Sequence, residues 1–221
     1  MSRHSTLSMI GIAALMATAL AQPGYAQAPA PAPAAARPPP PPPSKDPAAA
    51  PAGTYKLDKL HESIVARIGH AGGFSYSTVR FGATDGTLTW DPAHIENSKV
   101  SVTVDTKPNY APIVYGVDPG GPGLLNVAMF PTATFVSTGI KRTGPTTGQI
   151  MGNMTFMGQT KPVVIDAQLV GAGRNGRGVP IVGFTGTMKF KRGDFGFTAG
   201  AGGISNDIEL VIDAEFDGPA G

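Results

Sequence analysis

The chain has 221 residues, of which 17 are Lys or Arg and 15 are Asp or Glu, and it has no cysteine. The absence of cysteine excludes disulfides, thiolate metal sites and a cysteine nucleophile. The charges nearly balance and form no Lys/Arg cluster, which excludes the usual electrostatic footprint of a nucleic-acid-binding protein.

The N-terminal residues have the pattern of a secretory signal peptide. Arg3 and His4 give a short basic start, and residues 7–20 form an uncharged apolar run. That run is shorter than the about 20 residues that a membrane-spanning helix needs. Small residues around Ala26 suit a cleavage site. We therefore expect a signal peptide over residues 1–26 and a periplasmic or secreted mature protein.

A low-complexity segment of alanine and proline follows, with six consecutive prolines at 38–43. Because proline fixes φ and has no backbone donor, such a segment cannot join the interior of a helix or a sheet. Compositions of this kind mostly stay disordered. We predict a disordered linker over residues 27–53. The alternatives are a spacer from a membrane or cell wall, or a ligand for a proline-binding domain.

From residue 54 the sequence is typical of a many-stranded antiparallel protein, because short runs rich in Val, Ile, Thr and Phe alternate with Gly, Pro, Asn and Asp. The predicted strands are 54–58, 63–70, 75–81, 86–90, 99–105, 134–140, 149–157, 163–170, 181–191 and 208–216. Asp85-Gly86 is predicted to form a hairpin turn because glycine accepts φ > 0. Residues 110–129 are predicted to be a long loop.

Alternation along these strands gives each one an apolar and a polar face. Ile64, Ala66, Ile68 and His70, for example, share one face. Such strands suit a closed antiparallel barrel or a sandwich, and a barrel of about eight strands leaves an interior that can hold one small apolar ligand. We predict one all-β domain over residues 54–217, followed by a disordered tail at 218–221.

Apolar side chains on the predicted strands could line such a cavity or fill a core. His70 ends an apolar face, where its ring could meet the polar head of a ligand or bond a backbone group. The candidate ligand-binding residues are His70, Ile64, Ile68, Phe74, Phe81, Trp90, Phe135, Phe156, Phe184 and Phe190.

Motifs that could carry catalysis are weak. No H-E-x-x-H or G-x-S-x-G sequence occurs, and the G-x-G-x-x-G match at 171–176 leads into a further predicted strand, where a nucleotide site would need a helix. We therefore predict no enzyme, no catalytic residues and no metal site. A hydrolase with a scattered site that uses His61 or His70 is the remote alternative.

Several short segments run in order along residues 54–217. They are Y-K-L-D (55–58), H-E-S (61–63), D-G-T-L (85–88), S-K-V-S-V-T-V-D (98–105), F-P-T-A-T-F-V-S-T (130–138), G-Q-T-K-P-V (158–163), K-R-G-D-F-G (191–196) and S-N-D-I-E-L (205–210). As a set they resemble the YceI-like family. The resemblance implies an extended, lipocalin-like barrel around an apolar tunnel that binds a long isoprenoid chain of polyprenyl or quinone type.

On this resemblance we expect an exported, non-enzymatic lipid binder or carrier, with no cofactor other than such a lipid. Open strand edges could also pair two chains into a homodimer. The alternative is a tethered structural or envelope-interaction module with a filled core. One segment departs from the family pattern: the charged helical stretch expected after Asp105 is replaced by G-G-P-G-L-L-N at 120–126, so the ligand could differ.

Overall fold

A computed structural model describes residues 42–111, 118–198, 200 and 203–219. The predicted signal peptide, the linker up to residue 41 and the last two residues of the predicted tail lie outside this range. In the part of the chain that the structure describes, no helix is long and apolar enough to cross a membrane.

The described residues form β-strands joined by turns and three short 3-10 helices. The strands are β1 (Gly53–His70), β2 (Ser75–Phe81), β3 (Ala83–Trp90), β4 (Lys99–Asp105), β5 (Thr132–Arg142), β6 (Thr147–Phe156), β7 (Gln159–Arg174), β8 (Pro180–Lys191) and β9 (Ile204–Asp217). The 3-10 helices are Pro47–Ala49, Ile95–Asn97 and Arg192–Phe195.

All strand pairs are antiparallel, and the sheet closes on itself because β1 also pairs with β9. β2 and β3 run in the same direction beside β1, β2 along its second half and β3 along its first residues. Together they fill one position in an eight-stranded closed barrel. The predicted all-β barrel is therefore confirmed, and the sandwich alternative is excluded.

The predicted hairpin turn at Asp85-Gly86 is wrong. Both residues lie inside β3. A tight turn with positive φ joins β1 to β2, where Ala71, Gly72 and Gly73 have φ of 49°, 75° and 104°. Gly86 serves close packing, because a Cβ there would lie 2.8 Å from Leu57 Cβ. Glycine is needed at position 86 because the side chain of Leu57 on β1 packs closely against its backbone.

Two predicted strands, 54–58 and 63–70, are one strand. β1 runs through both, and its pairing with β9 shifts register between Leu57 and Glu62. Residues 58–61 therefore form a bulge that leaves the ladder and rejoins it. A bulge of this kind sharpens the bend of a strand without ending it.

The last part of the predicted disordered linker is ordered. Residues 43–52, here called the N-terminal strap, pack on the barrel: Ser44 N donates to Ala172 O at 2.9 Å, and Ala172 N donates to Ser44 O at 2.8 Å. Lys45 Nζ donates to Val170 O at 2.6 Å, and Ala50 is completely buried. Ser44 and Lys45 supply the donors that the preceding prolines lack.

The C-terminal tail is also held at its first residue, since Gly218 N donates to Pro180 O at 2.7 Å. Nearby, Tyr55 is completely buried, and its hydroxyl donates to Pro51 O in the N-terminal strap at 2.7 Å. The strap, the start of β1 and the end of β9 therefore close one end of the barrel together.

Candidate ligand-binding cavity

The barrel encloses a cavity of about 580 Å³, with lining residues from all nine strands. Its volume falls within the usual range for small-molecule sites. An open interior of this size does not fit the alternative of a structural module with a filled core.

The cavity wall follows from the alternation of the strands. Ile64, Ala66 and Ile68 face inward from β1, and Val100 and Val102 face inward from β4. Successive side chains in a strand point to opposite faces, so the residues between them face outward. Valine and isoleucine place branched apolar groups on the inner face with no hydrogen bonds to satisfy.

Nine of the ten candidate residues line this cavity. They are Ile64, Ile68, His70, Phe81, Trp90, Phe135, Phe156, Phe184 and Phe190. The tenth, Phe74, does not: it lies in the β1–β2 turn and is 95% exposed. Placing Phe74 in the cavity was wrong because strand alternation stops at His70. Contact of the other nine with a ligand stays a prediction.

Aromatic rings gather at two places along the cavity. Phe156, Phe190 and Phe195 meet edge to face, with centroid distances of 5.4 to 6.4 Å. Trp90 meets Phe184 in the same way at 5.7 Å. Edge-to-face pairs fix the orientation of the rings beyond simple burial. Trp90 Nε1 is buried and has no hydrogen-bond partner among the described residues.

Arg192 adds a charged group to the cavity wall that the sequence did not reveal. Its side chain is 3% exposed, and its guanidinium donates to Ser205 O at 2.9 Å and Phe197 O at 2.8 Å. Burial lowers the pKa of Arg192 from its usual value. A further bond to Ile204 O, at 3.4 Å, places it beside His70, whose strand partner is Ile204.

Arg192 and His70 therefore mark one end of the cavity, here called the polar end, although Asp105, Arg142 and several Ser and Thr residues also line the wall. The sequence did offer a signal, the K-R-G-D-F-G stretch at 191–196, but an arginine in a charged loop gave no reason to expect burial.

The segment that departs from the family pattern also reaches the cavity. Leu124 and Leu125 line it, and Leu125 is 7% exposed. Turns hold the segment in place, with Val127 N donating to Gly120 O at 3.0 Å. At the position where the family pattern has charged groups, this chain therefore places the apolar side chains of Leu124 and Leu125 in the cavity wall.

A second cluster of titratable groups lies away from the cavity, at the bulge of β1. His61 Nδ1 is 2.7 Å from Asp58 Oδ2, and Glu215 on β9 completes a group whose ligand-type atoms lie within 4.8 Å of one another. The hydrogen bond that His61 donates to Asp58, followed by the charge of Asp58, raises the pKa of His61, and burial raises the pKa of Glu215.

Asp58 is the carboxylate partner of His61, because the bulge folds Asp58 back onto it. Carboxylates and an imidazole are metal-ligand types, but His61 Nδ1 is already engaged by Asp58. His61 is 64% exposed and does not line the cavity, whereas His70 does. Of the two histidines that the hydrolase alternative names, His70 is the one that lines the cavity.

The sequence of the barrel matches a known protein family and several of its members. A family model, the YceI-like domain, matches residues 55–216. The UPF0312 protein of Azotobacter vinelandii is 39% identical over 171 residues, which cover 75% of this chain and 88% of that protein. Protein YceI of Salmonella arizonae is 38% identical over 172 residues, covering 76% and 88%.

Solved structures share the fold. Burkholderia cenocepacia BcnA matches with a TM-score of 0.60 at 18% identity, covering 72% of this chain and 98% of that one. A polyisoprenoid binding domain from Saccharophagus degradans, implicated in plant cell wall breakdown, matches with a TM-score of 0.53 at 15% identity, covering 75% and 98%. The family match spans the barrel from the start of β1 to the end of β9, and the chain belongs to the YceI-like family.

Proposed function

We propose that the protein binds one long-chain isoprenoid lipid, of polyprenyl or quinone type, inside the barrel and without chemical conversion. The observation that carries this proposal is the cavity of about 580 Å³, walled by apolar side chains from every strand. Family membership supports it, as does the fold shared with a domain described as polyisoprenoid-binding.

The energetics suit a hydrocarbon chain. Each methylene removed from water contributes about 0.8 kcal/mol. Ten buried methylenes therefore supply roughly 8 kcal/mol before the costs of ordering the ligand. No metal or catalytic group is needed for binding of this kind.

The buried arginine gives the ligand a direction. Arg192 and His70 lie at the end of the cavity near the start of β9, and Trp90 lies toward the opposite end of β1, whose first residue pairs with it. We place a polar head group beside Arg192 and the apolar chain along the phenylalanines. Selectivity then depends on the cavity length and on these few polar contacts.

We also propose that the protein is exported and works in the periplasm or outside the cell. The basic start and the apolar run at residues 7–20 support this location.

Lipid uptake by variants tests the proposed function. Ala66→Phe adds a ring at an inward position that is 5% exposed, so it should reduce uptake of an added polyprenyl lipid or quinone by the delipidated protein. Val65→Phe adds the same ring at the neighbouring outward position and should leave uptake unchanged. Both variants must first melt cooperatively. Equal uptake by both would show that the lipid does not enter the barrel.

A further inference from the structure

The turn between β1 and β2 carries an aromatic side chain that the fold does not bury. Phe74 is 95% exposed, and Tyr76, the second residue of β2, is 62% exposed. The preceding residues Ala71, Gly72 and Gly73 all have positive φ, so the chain reverses tightly and leaves Phe74 outside the barrel wall. Nothing in the packing of the described residues accounts for a phenylalanine there.

This turn borders the polar end of the cavity. His70, the residue just before the turn, lines the cavity, and Ala71 N donates to Gly203 O at 3.0 Å. Gly203 also lines the cavity. The exposed ring of Phe74 therefore stands beside the end of the cavity at which Arg192 and His70 lie.

The basic side chains of the neighbouring strands are already engaged. Arg67 Nη1 lies 2.6 Å from Glu209 Oε2, and its guanidinium carbon lies 4.5 Å from the ring centroid of Tyr76. Lys191 Nζ lies 2.8 Å from Asp207 Oδ1. Because these two charges are paired, the surface beside the turn presents an exposed aromatic ring rather than a free positive charge.

We propose that the β1–β2 turn docks on the surface of a lipid bilayer, with Phe74 inserted at the interface and the polar end of the cavity facing the membrane. This proposal rests on the proposed function, because a long-chain lipid dissolved in a bilayer must pass from it into the barrel. Aromatic side chains favour the membrane–water interface. With the neighbouring cations paired, zwitterionic lipid is sufficient and docking is insensitive to salt.

A tryptophan placed in the turn tests the contact directly. In the exported protein, Phe74→Trp should shift its emission to the blue when phosphatidylcholine vesicles are added, and lipids brominated in their chains should quench it. Leu60→Trp is the matched control, since Leu60 is 88% exposed in the bulge of β1. An unchanged Phe74→Trp spectrum, or an equal shift in both variants, would overturn the proposal.

Removal of the ring gives a second readout. Phe74→Ser should weaken vesicle binding about tenfold, the effect of losing one partly inserted aromatic side chain, while Leu60→Ser should not. Bound lipid is measured by mass spectrometry in the same samples. Lipid-loaded protein that ignores vesicles would contradict docking and leave the proposed function intact; protein without lipid would contradict the function. Conversion of a dimer to a monomer by Phe74→Ser would assign the ring to a second copy and overturn docking.

Discussion

Single residues decide how the barrel wall packs around its cavity. Gly152 on β6 faces the ring of Phe135, and a Cβ there would lie 2.4 Å from Phe135 Cζ and 2.6 Å from Val136 O. The missing side chain leaves room for the Phe135 ring beside the neighbouring strand. The Phe135 ring thus occupies the space that a side chain at position 152 would fill.

Substitution of that glycine should therefore be costly. We expect Gly152→Ala to lower the free energy of unfolding by about 1–3 kcal/mol, because both a ring and a backbone oxygen must move. Gly123→Ala is the matched control, since a Cβ there has no neighbour within 4 Å. Urea denaturation measures the stability of both variants. Equal midpoints would show that the Phe135 ring moves aside at no cost in free energy.

The bulge of β1 is the element that the sequence concealed most. Alternation predicted the inward face after the bulge correctly, where Ile64, Ala66 and Ile68 line the cavity, because side-chain direction in a strand is a local property. The register shift that brings Asp58 onto His61 depends on how β9 pairs across the barrel, and no local pattern encodes it. The same limit explains why Arg192 was missed, since its burial depends on carbonyls from two separate segments.

Titration of His61 tests the geometry of the bulge. Because its pKa is raised, the folded chain holds the imidazole proton more tightly than the unfolded chain does. The contribution of this group to stability is complete below the ordinary pKa of about 6.5. It is lost as the pH rises through the folded value.

We expect NMR titration to give a pKa for His61 above its ordinary value. Asp58→Asn should lower this pKa more than Glu215→Gln does, because the hydrogen bond that Asp58 accepts is the largest cause and Glu215 acts through charge alone. An unchanged pKa in Asp58→Asn would mean that the pair does not form in solution.

The N-terminal strap is a second element whose order could not be read from composition. Alanine and proline dominate residues 27–53, but a few donors at its end bind the free edge of β7. Gly171 makes room for this contact, because a Cβ there would lie 2.5 Å from Pro43 Cβ.

Gly171→Ala should therefore displace the strap. The amide of Ala172, which donates to Ser44 O, should then exchange with deuterium faster than in the parent protein. Gly183→Ala on the adjacent strand is the control, because its nearest neighbour lies 3.8 Å from the added Cβ. Unchanged exchange at Ala172 in the Gly171 variant would contradict a docked strap.

At the largest scale, the described part of the chain is a closed antiparallel barrel that keeps its interior open. Residue patterns predicted the strand-rich class and nine residues of the cavity wall, since apolar alternation fixes what faces inward. They could not predict which residues close the ends of the barrel, where the strap, the loop at 118–130 and Arg192 contact the cavity. Those contacts join residues distant in sequence and follow from closure of the barrel.

Native mass spectrometry of the exported protein, purified without detergent, tests the central claim most directly. We predict the mass of the processed chain plus one apolar molecule, which solvent extraction releases and whose fragments show isoprene spacing. A clean mass for the chain alone, together with no uptake of added polyprenyl lipid or quinone, would contradict lipid binding in this barrel.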